Sequence, residues 1–195
     1  MSGILSMAAF ALASSISPGP VNLVALGAGA RYGLRPSMQH VTGATLGFTL
    51  LLLLTGLGLY ELMRQWPQLT DAVRWAGIAF LFFMAYKLVS DDGTLDAGGP
   101  AQSPSFMYGA AMQWLNPKAW LAALAGMGAY AIDGNRMLVW QFTAIYFVIC
   151  YGSIACWALA GSMLRKYLHE PRHVRLLNRL MAAFIAVSAA GLLAA

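Results

Sequence analysis

Apolar residues fall in long blocks along this chain, and polar residues fall between the blocks. Six blocks approach the roughly 20 residues that a helix needs to cross a bilayer: 3–29, 38–60, 73–89, 106–132, 137–164 and 176–195. The few charges gather in the breaks instead of lining one face of each helix, as they would on soluble amphipathic helices. The breaks run from Arg31 to Pro36, Arg64 to Asp71, Asp91 to Pro104, Asp133 to Arg136 and Arg165 to Arg175. The pattern predicts an all-α integral membrane protein with six transmembrane helices in one domain. The first block contains Ala11-Leu12-Ala13, which imitates a signal-peptide cleavage site. No Lys or Arg precedes it and the apolar run resumes after Ser17, so it is expected to stay as the first membrane helix.

The polar stretch 91–104 carries three Asp, three Gly and two Pro and divides the chain almost equally. The expected organisation is a three-helix repeat over 1–95, a linker over 96–104 and a second three-helix repeat over 105–195. Ser17-Pro18 and Asn116-Pro117 stand 99 positions apart, each well inside an apolar block. An odd number of spans per half inserts the second half upside down, the inverted-repeat logic of many secondary transporters.

Composition narrows the class. Hydrophobic residues make up 59% of 195 and charged residues 10%, with a mean hydropathy of +0.65. A soluble domain carries about a quarter charged residues. The net charge of +5 is concentrated in Arg165, Lys166, Arg172, Arg175 and Arg179, without interleaved aromatics. That reads as a cytoplasmic loop, with membrane lipid and not nucleic acid as its surroundings. The breaks after blocks one and three add Arg31, Arg35 and Lys87, against Arg64, Arg74 and Arg136 on the other side. Both termini are therefore expected outside the cytoplasm. Cys150 and Cys156 lie six positions apart in one block and point in different directions on a helix, so two buried, inert thiols are expected.

Two motifs carry candidate chemistry. In Ser14-Ser15-Ile16-Ser17-Pro18-Gly19-Pro20-Val21-Asn22, two prolines flank a glycine inside an apolar run, and each removes a backbone donor from the helix. The pattern reads as a helix that stops and restarts, with Ser17 as N-cap and Pro18 in the first turn. Asn116-Pro117-Lys118 repeats the grammar. A helix N-terminus presents free N–H groups and partial positive charge, which suits a carboxylate. Lys118 lies about twelve residues into its block, far from either end, where an unpaired ammonium is expensive. Ser17, Gly19, Asn22, Asn116 and Lys118 are the expected substrate contacts. Pro18, Pro20 and Pro117 are the expected helix-breaking residues.

All seven carboxylates, Glu61, Asp71, Asp91, Asp92, Asp96, Asp133 and Glu170, fall in or beside the breaks. That argues against a cationic side chain on the substrate. His40 is the candidate coupling residue, with a hydrogen-bonded structural role as its alternative. Gly43-Ala44-Thr45-Leu46-Gly47 permits close helix approach, within the monomer or in a homodimer. Trp114 and Trp120 flank the second break as candidate cavity walls. No catalytic residue, metal or cofactor is expected.

With these residues in hand, the chain resembles the LysE/RhtB family of amino-acid exporters nearly end to end. Ser17-Pro18-Gly19-Pro20 with Asn22 and Arg31-Tyr32-Gly33 is similar to the family's first-helix signature. Gly43 and Gly47 match its second-helix glycines. Gln113-Trp114-Leu115-Asn116-Pro117-Lys118-Ala119 resembles its fourth-helix motif, and Leu177-Asn178-Arg179-Leu180 the opening of its last helix. The resemblance implies ion-driven export of amino acids or close derivatives across a bacterial inner membrane. Many members carry an acid just after the second glycine of helix two, where this chain has Phe48, and the 91–96 stretch is acidic where that loop is often basic.

The expected function is a secondary transporter, not an enzyme, exporting neutral amino acids or similar small carboxylate-bearing metabolites by alternating access. A membrane thiol–disulfide electron carrier is one alternative and needs facing cysteines. A non-transporting scaffold subunit is the other, and has no need of matched helix breaks.

Overall fold

A computed structural model describes residues 2–59, 65–90, 104–130, 135–167 and 170–194, and these contain helices and no strand. The helices are α1 (Ser2–Ile16), α2 (Pro20–Tyr32), α3 (Leu34–Leu54), α4 (Pro67–Val89), α5 (Phe106–Trp114), α6 (Pro117–Tyr130), α7 (Arg136–Leu164) and α8 (Pro171–Ala194). Four of them, α2, α4, α6 and α8, begin at a proline, whose missing N–H costs nothing in a first turn. Ser105 caps α5 by accepting from the Tyr108 N–H at 3.2 Å. Asn135 caps α7 by accepting from the Met137 N–H at 2.9 Å. Gly33, at φ 87°, ends α2 with its N–H donated to the Gly29 carbonyl and turns the chain directly into α3. A side chain is strained at that dihedral, so glycine is required. Beyond Leu54, α3 widens into a π-helical turn, Thr55–Leu59, which stops at Gly58 with φ 114°.

Two helical stretches are each long and apolar enough to cross a membrane alone, Leu34–Gly58 and Arg136–Leu164. The pair Gly3–Ile16 and Pro20–Tyr32 passes the same length and composition test only when its two helices are taken together, and is bent by 61° at its break. Two tight crossings hold these elements together. On one, a Cβ at Gly29 of α2 would overlap the Ala158 carbonyl of α7, and one at Gly161 of α7 would overlap the Leu26 carbonyl of α2. On the other, Gly43 and Gly47 of α3 meet the backbone of α5 at Phe106 and Ala110, and Gly109 answers from α5 against His40. The Gly43/Gly47 face is thus spent inside the monomer, on backbone contact that any side chain would prevent. Around these crossings α7 also packs on α1 and α3, and α4 packs on α8. Tyr146, Phe142, Leu51, Leu52, Met112 and Ile154 are fully buried where these helices converge.

Several expected boundaries move. The third helix starts at Pro67, so Asp71 belongs to α4 and not to a break. The last starts at Pro171, so Arg172 and Arg175 stand on α8 together with Arg179, and the basic segment is part helix. The expected linker 96–104 lies outside the described residues except Pro104, as do residues 133 and 134 of the 133–136 turn. Cys150 is buried as expected, but Cys156 is exposed. Six residues turn a helix by about 240° net, which carries Cys156 from the core face of α7 to its outer face.

Candidate functional site

A helix that stops inside an apolar bundle leaves its last carbonyls without partners, each costly unless a donor is brought to it. At the end of α1 side chains supply the last three. The Ser14 carbonyl accepts from the Ser17 hydroxyl at 3.1 Å. The Ser15 carbonyl accepts from Asn22 Nδ2 at 2.7 Å, and the same amide reaches the Ser17 carbonyl at 2.9 Å. The Ile16 carbonyl accepts from the Trp157 indole of α7 at 2.9 Å. Lys118 completes the set: its Nζ donates to the Ser17 carbonyl at 3.1 Å, the Ser17 hydroxyl at 2.7 Å and the Pro18 carbonyl at 3.1 Å. An ammonium has three donors, and all three go to the broken end of α1. The C-terminal end of a helix carries partial negative charge, so a cation there is also favoured electrostatically.

Lys118 comes from the second break. Asn116 and Leu115 separate α5 from α6, and the Asn116 side chain accepts from the Lys118 N–H at 3.2 Å. Asn116 thereby caps the helix start whose first turn carries Lys118. The two breaks meet in space. Gly19 lies against the Lys118 side chain, where a Cβ would sit 3.4 Å from both Cδ and Nζ.

The restart of the first helix differs from expectation. Gly19, extended at φ −171°, is the N-cap, Pro20 opens α2, and no side chain caps the start. Ser17 instead closes the preceding helix. Its geometry follows from Pro20: the residue before a proline is driven out of the helical region, so the helix restarts only after Gly19. The uncapped start of α2 faces a cavity lined by Ser14, Ser15, Gly19, Val21, Asn22, Phe48, Gln113, Asn116, Lys118, Ala119, Ala122, Tyr146, Cys150 and Ile154. It holds about 400 Å³ of unfilled space, counted out to its open mouth. Every lining residue lacks a carboxylate, and Lys118 is the sole cation among them. The far wall is aromatic, with the Phe48 and Tyr146 rings 4.6 Å apart and the Tyr146 hydroxyl 2.8 Å from that of Ser14.

The structure therefore gathers Ser17, Gly19, Asn22, Asn116 and Lys118 at one place, with Pro18, Pro20 and Pro117 at the breaks. Ser17 is not in the cavity wall but holds the lysine that is. His40 also lies outside the wall, fully buried, with Nε2 3.3 Å from the Val21 carbonyl in α2. Trp114 and Trp120 are not wall residues either. They stack edge to face at 6.0 Å, with the Trp120 indole donating to the Trp114 carbonyl. Sequence reasoning missed Ser15, Phe48, Tyr146 and Cys150 as wall residues. Gln113 sits within a motif already singled out, and its position three before the Asn-Pro break was the available signal. Cys150 faces the cavity while Cys156 faces outward, so the two thiols cannot close on each other.

Several membrane-length helices around an internal polar cavity, built at two helix interruptions, define a multi-pass membrane transport protein. Residues 12–195 match the LysE type translocator family, and the chain belongs to that family. It is 26% identical over 181 residues to the cysteine/O-acetylserine efflux protein of Escherichia coli (strain K12), covering 91% of this chain and 92% of that protein. The cysteine/O-acetylserine efflux protein of Salmonella typhimurium (strain LT2) is 25% identical over the same share of each chain. No solved structure matches.

Proposed function

We propose that the protein exports small neutral amino acids or close derivatives across a bacterial inner membrane, by ion-coupled alternating access between two inverted three-helix halves. The observation that carries this reading is Lys118, an ammonium held in a half-buried cavity between two helix breaks, beside an uncapped helix start and with no acid in the wall. A substrate carboxylate fits the free N–H groups at Gly19, Val21 and Asn22 and the lysine charge next to them. Its amine fits neutral oxygens such as that of the Gln113 amide. Export of cysteine and O-acetylserine by the relatives supports a substrate of this size and charge.

The mechanism follows from a competition. In this state the lysine donors are committed to the Ser17 carbonyl and hydroxyl and the Pro18 carbonyl. A carboxylate at the start of α2 draws the ammonium away and releases the end of α1, so binding loosens the joint about which the halves rock. The helix contacts support the repeat. Exchanging the halves leaves the α3/α7 and α4/α8 pairs unchanged and turns α1/α7 into α5/α3, pairs that all pack, while the extensive α2/α7 contact has only a slight counterpart in α6/α3. His40, hydrogen-bonded to the backbone of α2, is the candidate through which a proton would act on the same joint. The basic residues from Arg165 to Arg179 face the cytoplasm, with both termini outside.

The deciding experiment is substrate exchange in proteoliposomes with an amino acid and its decarboxylated amine. Preference for the amino acid supports the carboxylate site, and preference for the amine overturns it.

A further inference from the structure

We propose that Ser15 reads the side chain of the transported molecule, selecting small amino acids whose side chain ends in an uncharged polar group. The inference rests on the cavity being the substrate site.

Ser15 stands two residues before the break, on the last turn of α1, and lines the cavity. The residue is only 9% exposed, yet its hydroxyl makes no hydrogen bond of good geometry, with the Tyr146 hydroxyl and the Cys150 thiol as polar neighbours outside ideal alignment. A hydroxyl on a helix has an easy partner in the carbonyl one turn back. Ser14, Ser37, Thr42, Thr49 and Thr55 all take it. Ser15 does not. A buried polar group left unsatisfied is costly and uncommon in native structures. Other described side chains share the condition, His40, Thr45, Thr143 and Ser153, but none of those four lines the cavity. Ser15 is therefore the orphaned group that an occupant of the cavity can satisfy.

The surroundings define that occupant. With the carboxylate at the start of α2 beside Lys118, a side chain directed along the cavity meets Ser15 and the Cys150 thiol. The Phe48 and Tyr146 rings then close the space and limit length. No acid is present to receive a charged amine, and no second cation to receive a carboxylate. A terminal hydroxyl, thiol or ester carbonyl satisfies Ser15. A methyl group of the same size leaves it unpaired. A site that hydrogen-bonds a substrate group discriminates strongly against the analogue lacking it.

The test compares cysteine, kept reduced, with 2-aminobutyrate, which differs only by a methyl in place of the thiol. In proteoliposomes the wild type should prefer cysteine by roughly tenfold, the scale of one net hydrogen bond. Ser15→Ala should lose that preference by weakening cysteine transport alone. Because it deletes an unsatisfied buried hydroxyl, the substrate-free variant should melt no lower than the wild type. Ser153→Ala removes a comparable orphan outside the cavity and should keep the preference. Equal transport of both compounds by the wild type overturns the inference and leaves the carboxylate site standing. So does a Ser15→Ala variant that weakens both compounds alike. If the wild type moves neither compound, the transport reading fails and the role of Ser15 falls with it.

Discussion

Lys118 Nζ donates to the hydroxyl of Ser17 at 2.7 Å, across 101 positions of sequence. That bond joins the first turn after one helix break to the last carbonyls before the other. It makes the two interruptions a single structural unit, and gives a substrate carboxylate something to compete for.

Lys118→Ala removes a partly desolvated, charge-assisted contact worth about 1.5–3 kcal/mol. The apparent affinity for the amino acid should weaken roughly ten- to a hundred-fold. Lys118→Arg should restore only part of it, since a planar fork does not replace a compact ammonium. Transport of the matching amine should hardly change. Concentration-dependent exchange in proteoliposomes measures all three, and normal amino-acid transport by Lys118→Ala would leave the lysine a structural cap.

Asn22→Leu keeps the volume but withdraws both amide donors from the Ser15 and Ser17 carbonyls. The expected loss is about 1–3 kcal/mol, the cost of leaving buried carbonyls unpaired. Trp157→Phe frees one carbonyl, that of Ile16, and should cost less. Thermal melts of the purified protein in detergent should rank wild type above Trp157→Phe above Asn22→Leu. The reverse order would mean that the break is held by packing alone.

Glycine substitutions separate crossing points from open helix surface. Gly29→Ala and Gly43→Ala place a methyl into the backbone of the neighbouring helix, and overpacking of this kind costs about 1–3 kcal/mol. Gly152→Ala meets nothing within 4 Å and should be neutral or stabilise by about 0.5–1 kcal/mol, since alanine is the better helix former. The yield of monodisperse protein and its melting temperature report both effects.

Orientation is testable with single cysteines introduced into a Cys150→Ser, Cys156→Ser background. A cysteine at position 166 should resist an impermeant maleimide added to intact cells, and one at position 2 should react. Labelling in the opposite sense inverts the topology.

Much of the site was legible because prolines and charges are conspicuous in an apolar chain. Pro18, Pro20 and Pro117 mark the places where helices cannot continue, and Lys118 stands out by its depth. What stayed hidden was which carbonyl each donor would serve. Trp157 looks like any interfacial tryptophan until α7 lies beside α1 and its indole meets Ile16. Ser17 has the residue type of an N-cap, but the residue before Pro20 takes that position. Ser15 stands inside the first motif as one more hydroxyl, and only the packing of α1 against its neighbours reveals that it faces a cavity without a well-formed hydrogen bond.

The sequence by itself determined that the chain is helical and lives in lipid, where the helices break, and that an ammonium stands directly after the second break. Those properties follow from local chemistry: apolar runs too long for a soluble core, missing N–H groups at proline, and a charge far from any loop. Tertiary structure alone decided that the two breaks touch, that Lys118 spends its three donors on Ser17 and Pro18, and that Gly43 and Gly47 face α5. These depend on which surfaces meet among residues about a hundred positions apart. Spacing along one chain carries no distance between two helices, and only their packing supplies it.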